Sequence, residues 1–165
     1  MLQKKFEKIF LALIFSASTF LLYNYYKSYT FKHNDLPQSY KTRIANKEQE
    51  VLSNMQKHFG FRFKVPLIVS DKIPGRLYGL TSYDNGNIAI YLNKKVMQES
   101  MDYMVESVIA HEYAHALMFH LGHIHTRDNG HSKEWQKSCQ LLGGKDCQQY
   151  VDQEEIIMSK VPFLH

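Results

Sequence analysis

His111-Glu112-Tyr113-Ala114-His115 reads HExxH, inside a run from Met101 to Phe119 that contains no Gly or Pro. That run predicts a helix, and on a helix residues four apart stand one above the other. Two imidazoles so placed can converge on one metal ion. Glu112 projects beside them, where a carboxylate can take a proton from a water that the metal activates. The chemistry indicated is zinc-dependent hydrolysis. The competing reading is an amphipathic helix that happens to carry two His and a Glu, and the rest of the chain decides between them.

A catalytic zinc takes three protein ligands and keeps one position open. The downstream candidates are His120, His123, His125, His131 and Glu134. One common pattern needs Gly three residues after the second His and a third His three residues later; those places hold Met118 and Leu121. A pattern that takes Glu from an ExxxD setting fails because position 138 is Ser. His120 is five residues beyond His115, about 140° round the same helix. His123 and His125 follow Gly122, where the helix should end, in a polar loop that suits solvated histidines. His131 follows the turn signal Asp128-Asn129-Gly130 and opens an expected helix over Ser132–Leu142. A ligand on a helix's first turn is held firmly. His131 is therefore the expected third ligand, with Glu134, one turn along, as the reserve.

These residues need a scaffold. Ile44, Val51, Leu52, Met55 and Phe59 recur at helical spacing over residues 42–59, and Gly60 stands where a C-terminal cap belongs. Phe61–Val69 is rich in strand formers, with Pro66 marking an edge or a strand start. In Gly75–Leu92 the turn Asp84-Asn85-Gly86-Asn87 sits between alternating flanks, which predicts a β-hairpin. Residues 93–99 lead into the helix that carries His111. In many zinc peptidases the strand beside the metal helix binds extended substrate as an added strand. Whether this hairpin offers such an edge or only covers the helix is open at this level.

The run Val108–Gly144, VIAHEYAHALMFHLGHIHTRDNGHSKEWQKSCQLLGG, resembles the core of the SprT-like zinc metallopeptidases, the family of the Spartan-type proteases. That family has HExxH, a polar loop, then a third His in a Gly-His-x-x-x-aromatic context opening another helix; Gly130, His131 and Trp135 match it. The helix and hairpin before the motif fit the same order, so the resemblance covers about residues 42 to 150. It implies that His111, His115 and His131 bind one catalytic Zn2+ and that Glu112 is the general base, acting on a protein or peptide substrate. The oxyanion would be stabilised by zinc, with Tyr113, Tyr83 or Tyr78 as a second donor, aromatic packing being the alternative for each. Many members carry a zinc ribbon with paired CxxC motifs, and this chain has no CxxC.

The expected fold is α+β: an N-terminal membrane helix, then a small zincin-like domain ordered helix, strand, β-hairpin, HExxH helix and third-ligand helix. The expected division is a membrane anchor or signal segment at 1–27, a linker at 28–41 and the SprT-like domain at 42–165. From Ile9 to Tyr26 run 18 uncharged residues between Lys8 and Lys27, about 27 Å as a helix and close to the thickness of a hydrocarbon core. Tyr23, Tyr25 and Tyr26 at one end suit the membrane interface. Ser16, Ala17 and Ser18 lie mid-segment and Phe20-Leu21-Leu22 follow, which favours an uncleaved anchor through residues 9–26 over a cleaved signal, which would leave the domain secreted, or a core helix. Lys4, Lys5 and Lys8 precede the segment, while Lys27, Lys32, Lys41 and Arg43 follow it. The charge bias is small, and export of the domain is the orientation adopted.

Composition, 44% hydrophobic and 22% charged, is that of one folded domain and excludes a disordered chain. The net charge is +4, of which residues 1–27 carry +3, leaving +1 on the rest. A nearly neutral domain does not support strong nucleic-acid binding. The alternatives kept are a DNA-associated SprT-like protease facing the cytosol and a non-catalytic zinc-binding module of the same fold. Cys139 and Cys147, eight apart across Gly143-Gly144, can join as a disulfide if the domain is exported and stay free and buried if it is cytosolic. The tail Asp152–His165 is expected to pack on the domain.

Overall fold

The computed structural model of the chain describes residues 2–73, 77–123 and 130–148 and resolves two compact units, Met1–Leu36 and Pro37–His165. The expected turn at Asp128-Asn129, the start of the hairpin at Gly75-Arg76, His125 and the tail Asp152–His165 lie outside the described residues.

The first unit is one helix, α1 (Leu2–His33), 32 residues long and so about 48 Å. A lone helix cannot cover its own side chains, and this one is apolar on every face, with Phe10, Phe15, Leu21 and Leu22 all on its surface. By length and composition it could cross a membrane, and as an N-terminal segment it could equally be a signal sequence. It continues past the apolar run through Lys27–His33, where Tyr29 and His33 stack with ring centroids 4.1 Å apart.

In the second unit α2 (Gln38–Phe59) buries Ile44, Val51, Leu52 and Met55 on one face. It ends at Gly60, whose φ of +79° lets its N–H turn back to Gln56 O. Helix therefore occupies residues 28–33 and 38–41 of the stretch expected to be linker, and only residues 34–37 separate α1 from α2. The strand expected over 61–69 is shorter: β1 is Leu67–Ser70. Pro66 has no N–H to offer a ladder, so pairing starts where its carbonyl accepts from Ile90 N.

The hairpin comprises β2 (Gly79–Asp84) and β3 (Asn87–Asn93). Its turn places Asn85 at φ +49° and Gly86 at φ +86°, the left-handed pair that a two-residue hairpin turn demands. The sheet order is β1-β3-β2, with β1 parallel and β2 antiparallel to β3. Central β3 buries Ile90 and Leu92, while β2 is an edge. Buried Asn93 caps α3 (Lys94–Met97) and donates to Leu77 O, fixing the end of the hairpin.

The run from Met101 is helical as expected but not uniform. It consists of α4 (Met101–Tyr103), a π-helical turn at Met104–Val108 and α5 (Ile109–His120). In the wide turn Ile109 N–H reaches back to Met104 O, and Lys145 N–H supplies an outside donor to Glu106 O. Helix α5 packs on β2, β3, α2 and α6 (Lys133–Leu141); its buried Ala110, Ala114 and Ala116 allow close approach.

Cys139 and Cys147 are disulfide-bonded, with Cα atoms 5.8 Å apart. A Cβ on Gly144 would stand 2.7 and 2.8 Å from the two sulfurs, so only glycine fits inside the loop. The loop is also held from outside. Lys47 Nζ donates to Gly143 O at 2.9 Å, Tyr103 OH to Asp146 Oδ2 at 2.8 Å, and Lys145 pairs with Glu106. It thus ties the end of α6 to α2 and to the π-helical turn ahead of α5. Replacing both cysteines by Ser should cost about 2–3 kcal/mol, the loop-closure value for so short a bridge. Thermal unfolding of the full chain, with and without reductant, checks this; a reduced protein with the oxidised Tm would contradict it.

Candidate metal centre

His111 and His115 occupy successive turns of α5, which brings both rings to one face. His131 comes from the other side. Gly130, at φ +84°, turns the chain into position, and Ser132 caps α6 by accepting from Trp135 N–H at 3.2 Å. His131 therefore stands just ahead of the helix and not on its first turn as the sequence suggested; the cap belongs to Ser132.

The three Nε2 atoms form a nearly equilateral triangle: His111–His115 3.3 Å, His115–His131 3.2 Å and His111–His131 3.2 Å. Mutual hydrogen bonds do not account for it. An imidazole nitrogen that donates has no in-plane lone pair with which to accept, so a ring of three such bonds cannot close. A tetrahedral zinc with bonds of about 2.0–2.1 Å requires ligand nitrogens about 3.3–3.4 Å apart. The observed edges of 3.2–3.3 Å come close to that spacing. The residues fit a metal ion that takes three imidazoles, and among the described residues they form the group able to hold one.

Burial, and then the neighbouring His131, lower His111 to a pKa of about 4; burial, then His111 and His131, lower His115 to about 3. Both are neutral near pH 7, with lone pairs available to a cation. Trp135, which is 1% exposed, forms the floor. Its ring centroid is 4.6 Å from that of His111, 5.0 Å from His115 and 4.3 Å from His131, stacking on His115 and meeting the other two steeply.

Glu112, one residue on and about 100° round the helix, is buried against β2. Thr81 Oγ1 lies 2.7 Å from Glu112 Oε2 and 2.9 Å from its main-chain O. A Cβ on Gly79 would fall 2.7 Å from Oε1 and 2.8 Å from Cγ. Burial pushes the Glu112 carboxyl up to about 7, against the pull of the Thr81 hydrogen bonds. A carboxyl so balanced can both take and release a proton at neutral pH.

The other candidates lie elsewhere. His120 is exposed and stacks on Phe63 at 4.3 Å, His123 is exposed, and Glu134 sits on the open face of α6, outside the imidazole group. Tyr113 faces α2, where its hydroxyl donates to buried Glu48 at 2.7 Å; burial first, then Glu48, holds the phenol well above its usual range. Tyr83 packs on Phe119 and Tyr78 on Tyr103, each pair 5.3 Å apart. All three tyrosines weighed as oxyanion donors are engaged in packing. Sequence reasoning passed over Gly79 and Thr81. A glycine inside a strand pattern is the signal that could have marked a close backbone approach.

Compared with known proteins, residues 47–154 match a model of the SprT-like family. No curated protein and no solved structure matches the chain.

If the indole holds the three rings in register, Trp135→Phe should weaken zinc binding about 10-fold, the usual cost of disturbing a group that orients metal ligands. Competition with a chromophoric chelator measures this, and an unchanged affinity would show that the rings hold themselves.

Proposed function

The chain belongs to the SprT-like family, and from that membership we propose that it is a zinc-dependent endopeptidase, with His111, His115 and His131 as ligands of one zinc ion and Glu112 as general base. The observation that carries the proposal is the imidazole triangle, 3.2–3.3 Å on each edge, with a buried carboxyl adjacent in sequence to its first member. Three protein nitrogens leave one tetrahedral position open, the arrangement of catalytic and not structural zinc. When bound, zinc supplies Lewis acidity, lowering the pKa of a water from about 15.7 toward neutrality and polarising the scissile carbonyl.

The protein's own residues do the rest. Glu112 takes the proton from the attacking water and returns it to the leaving amine, which suits a carboxyl held near pH 7. His111 and His115 stay neutral and keep their lone pairs directed at the site. Among the described residues β2 pairs with β3 alone and runs along α5, with Leu80 and Tyr83 exposed. An extended peptide can add along that edge, its main chain hydrogen-bonding to β2.

The proposal places α1 in a membrane as an uncleaved anchor, with the domain on the exported side. Two features support this: Lys4, Lys5 and Lys8 ahead of the apolar run and a disulfide of the kind that persists in oxidising compartments. Substrates would then be proteins at the membrane surface.

Glu112→Gln in the full-length chain, purified in detergent, should retain zinc at one ion per chain and lose cleavage of unfolded casein by at least about 100-fold. Chelation of the wild type should abolish cleavage and added zinc should restore it. Wild-type turnover by Glu112→Gln would overturn the assignment.

A further inference from the structure

We propose that Gly79 and Thr81, two residues of one face of β2, are positioning residues for the Glu112 carboxyl. The inference rests on the peptidase reading above and adds to it a source for the geometry of the base. Gly79 and Thr81 are two apart on a strand, so they address the same side of the sheet, and both meet Glu112 there. From Thr81 a single hydroxyl lies within 2.9 Å of two oxygens of the same residue, the main-chain O and Oε2. A hydroxyl with one proton to donate, set between the carboxyl and its own main chain, holds Oε2 close to the helix backbone and so restricts the side-chain torsions. At Gly79 the carboxylate lies in the space a Cβ would occupy, and the three nearest atoms to that Cβ, at 2.7, 2.8 and 3.0 Å, all belong to Glu112.

A buried glutamate has three side-chain torsions, and neither neighbouring histidine on α5 can restrain them, because it leaves the helix in a different direction. Without β2 the carboxyl would sample several rotamers, few of which direct an oxygen toward a substrate water. Gly79 supplies the room and Thr81 the anchor. The hairpin therefore does more than cover the helix: its edge strand sets the position of the base. Leu80, between them, lies on the opposite face and is exposed, so the strand gives only one face to the base.

Two measurements on the zinc-loaded, full-length chain in detergent test this. The first needs no activity. Gly79→Ala should lower Tm by about 5 °C, and the same change in a Glu112→Ala background should lower it by less than about 2 °C, because the atoms it strikes are gone. Equal losses in both backgrounds would overturn the contact. The second follows cleavage of quenched, fluorophore-labelled casein. Thr81→Val should reduce kcat about 10- to 100-fold, as a base misplaced by a fraction of an ångström to an ångström does. KM should stay within about 3-fold, zinc content should be unchanged, and Thr81→Ser should recover most of the rate. A Thr81→Val enzyme with wild-type kcat, or a Thr81→Ser enzyme no better than Thr81→Val, would overturn the positioning role. A wild-type chain that binds zinc and leaves casein intact would overturn the peptidase reading instead, and the Gly79 cycle would still decide whether β2 fixes Glu112.

Discussion

His111, His115 and His131 bring their Nε2 atoms within 3.3 Å of one another, a convergence that mutual hydrogen bonds cannot hold and that a shared cation would. Much of the second unit serves to bring it about. Two of the rings come free with the pitch of α5, but the third must arrive from a separate helix at a distance defined to a few tenths of an ångström. Trp135 fills the space beneath all three rings, and Ser132 fixes where α6 begins. The far end of α6 is tied down as well. The loop closed by Cys139 and Cys147 reaches α2 through Lys47 and the π-helical turn through Lys145.

Glu112 poses a different problem. A carboxyl buried without a cation beside it is costly as an anion, which is why its proton affinity rises. Its partner is a hydroxyl and not a lysine, whereas a salt bridge would hold the carboxylate ionised. Lys64 lies instead on Glu48, where it pairs with the carboxylate that receives the Tyr113 hydroxyl and secures α5 to α2. The two buried acids thus sit in different environments, Glu48 in an ion pair and Glu112 against a hydroxyl.

Features governed by short-range chemistry were legible in the sequence. HExxH spacing, the Gly60 cap and the Asn85-Gly86 turn each follow from local geometry and appear in the structure, which also brings His131 beside His111 and His115 and leaves His120 apart from them. What was not legible depends on contacts between distant residues. The π-helical turn reflects a donor from Lys145, 39 residues away from Glu106. Residues 28–33 and 38–41 read as linker because they are polar and aromatic around Pro37, yet the first continue α1 and the second begin α2. Tyr113 stands in the motif but turns to α2, since neighbouring helical residues face different directions. The link between Thr81 and Glu112 spans 31 positions and has no local signature beyond a glycine in a strand.

The apolar α1 gives the chain a membrane-compatible segment and the disulfide suits an oxidising compartment, but the chemistry stands or falls on the imidazole triangle. X-ray absorption at the zinc edge of the metal-loaded, full-length protein tests it most directly. The account predicts three imidazole nitrogens at about 2.0 Å in a four-coordinate site. A spectrum that requires sulfur, or fits only one or two imidazoles, would contradict it.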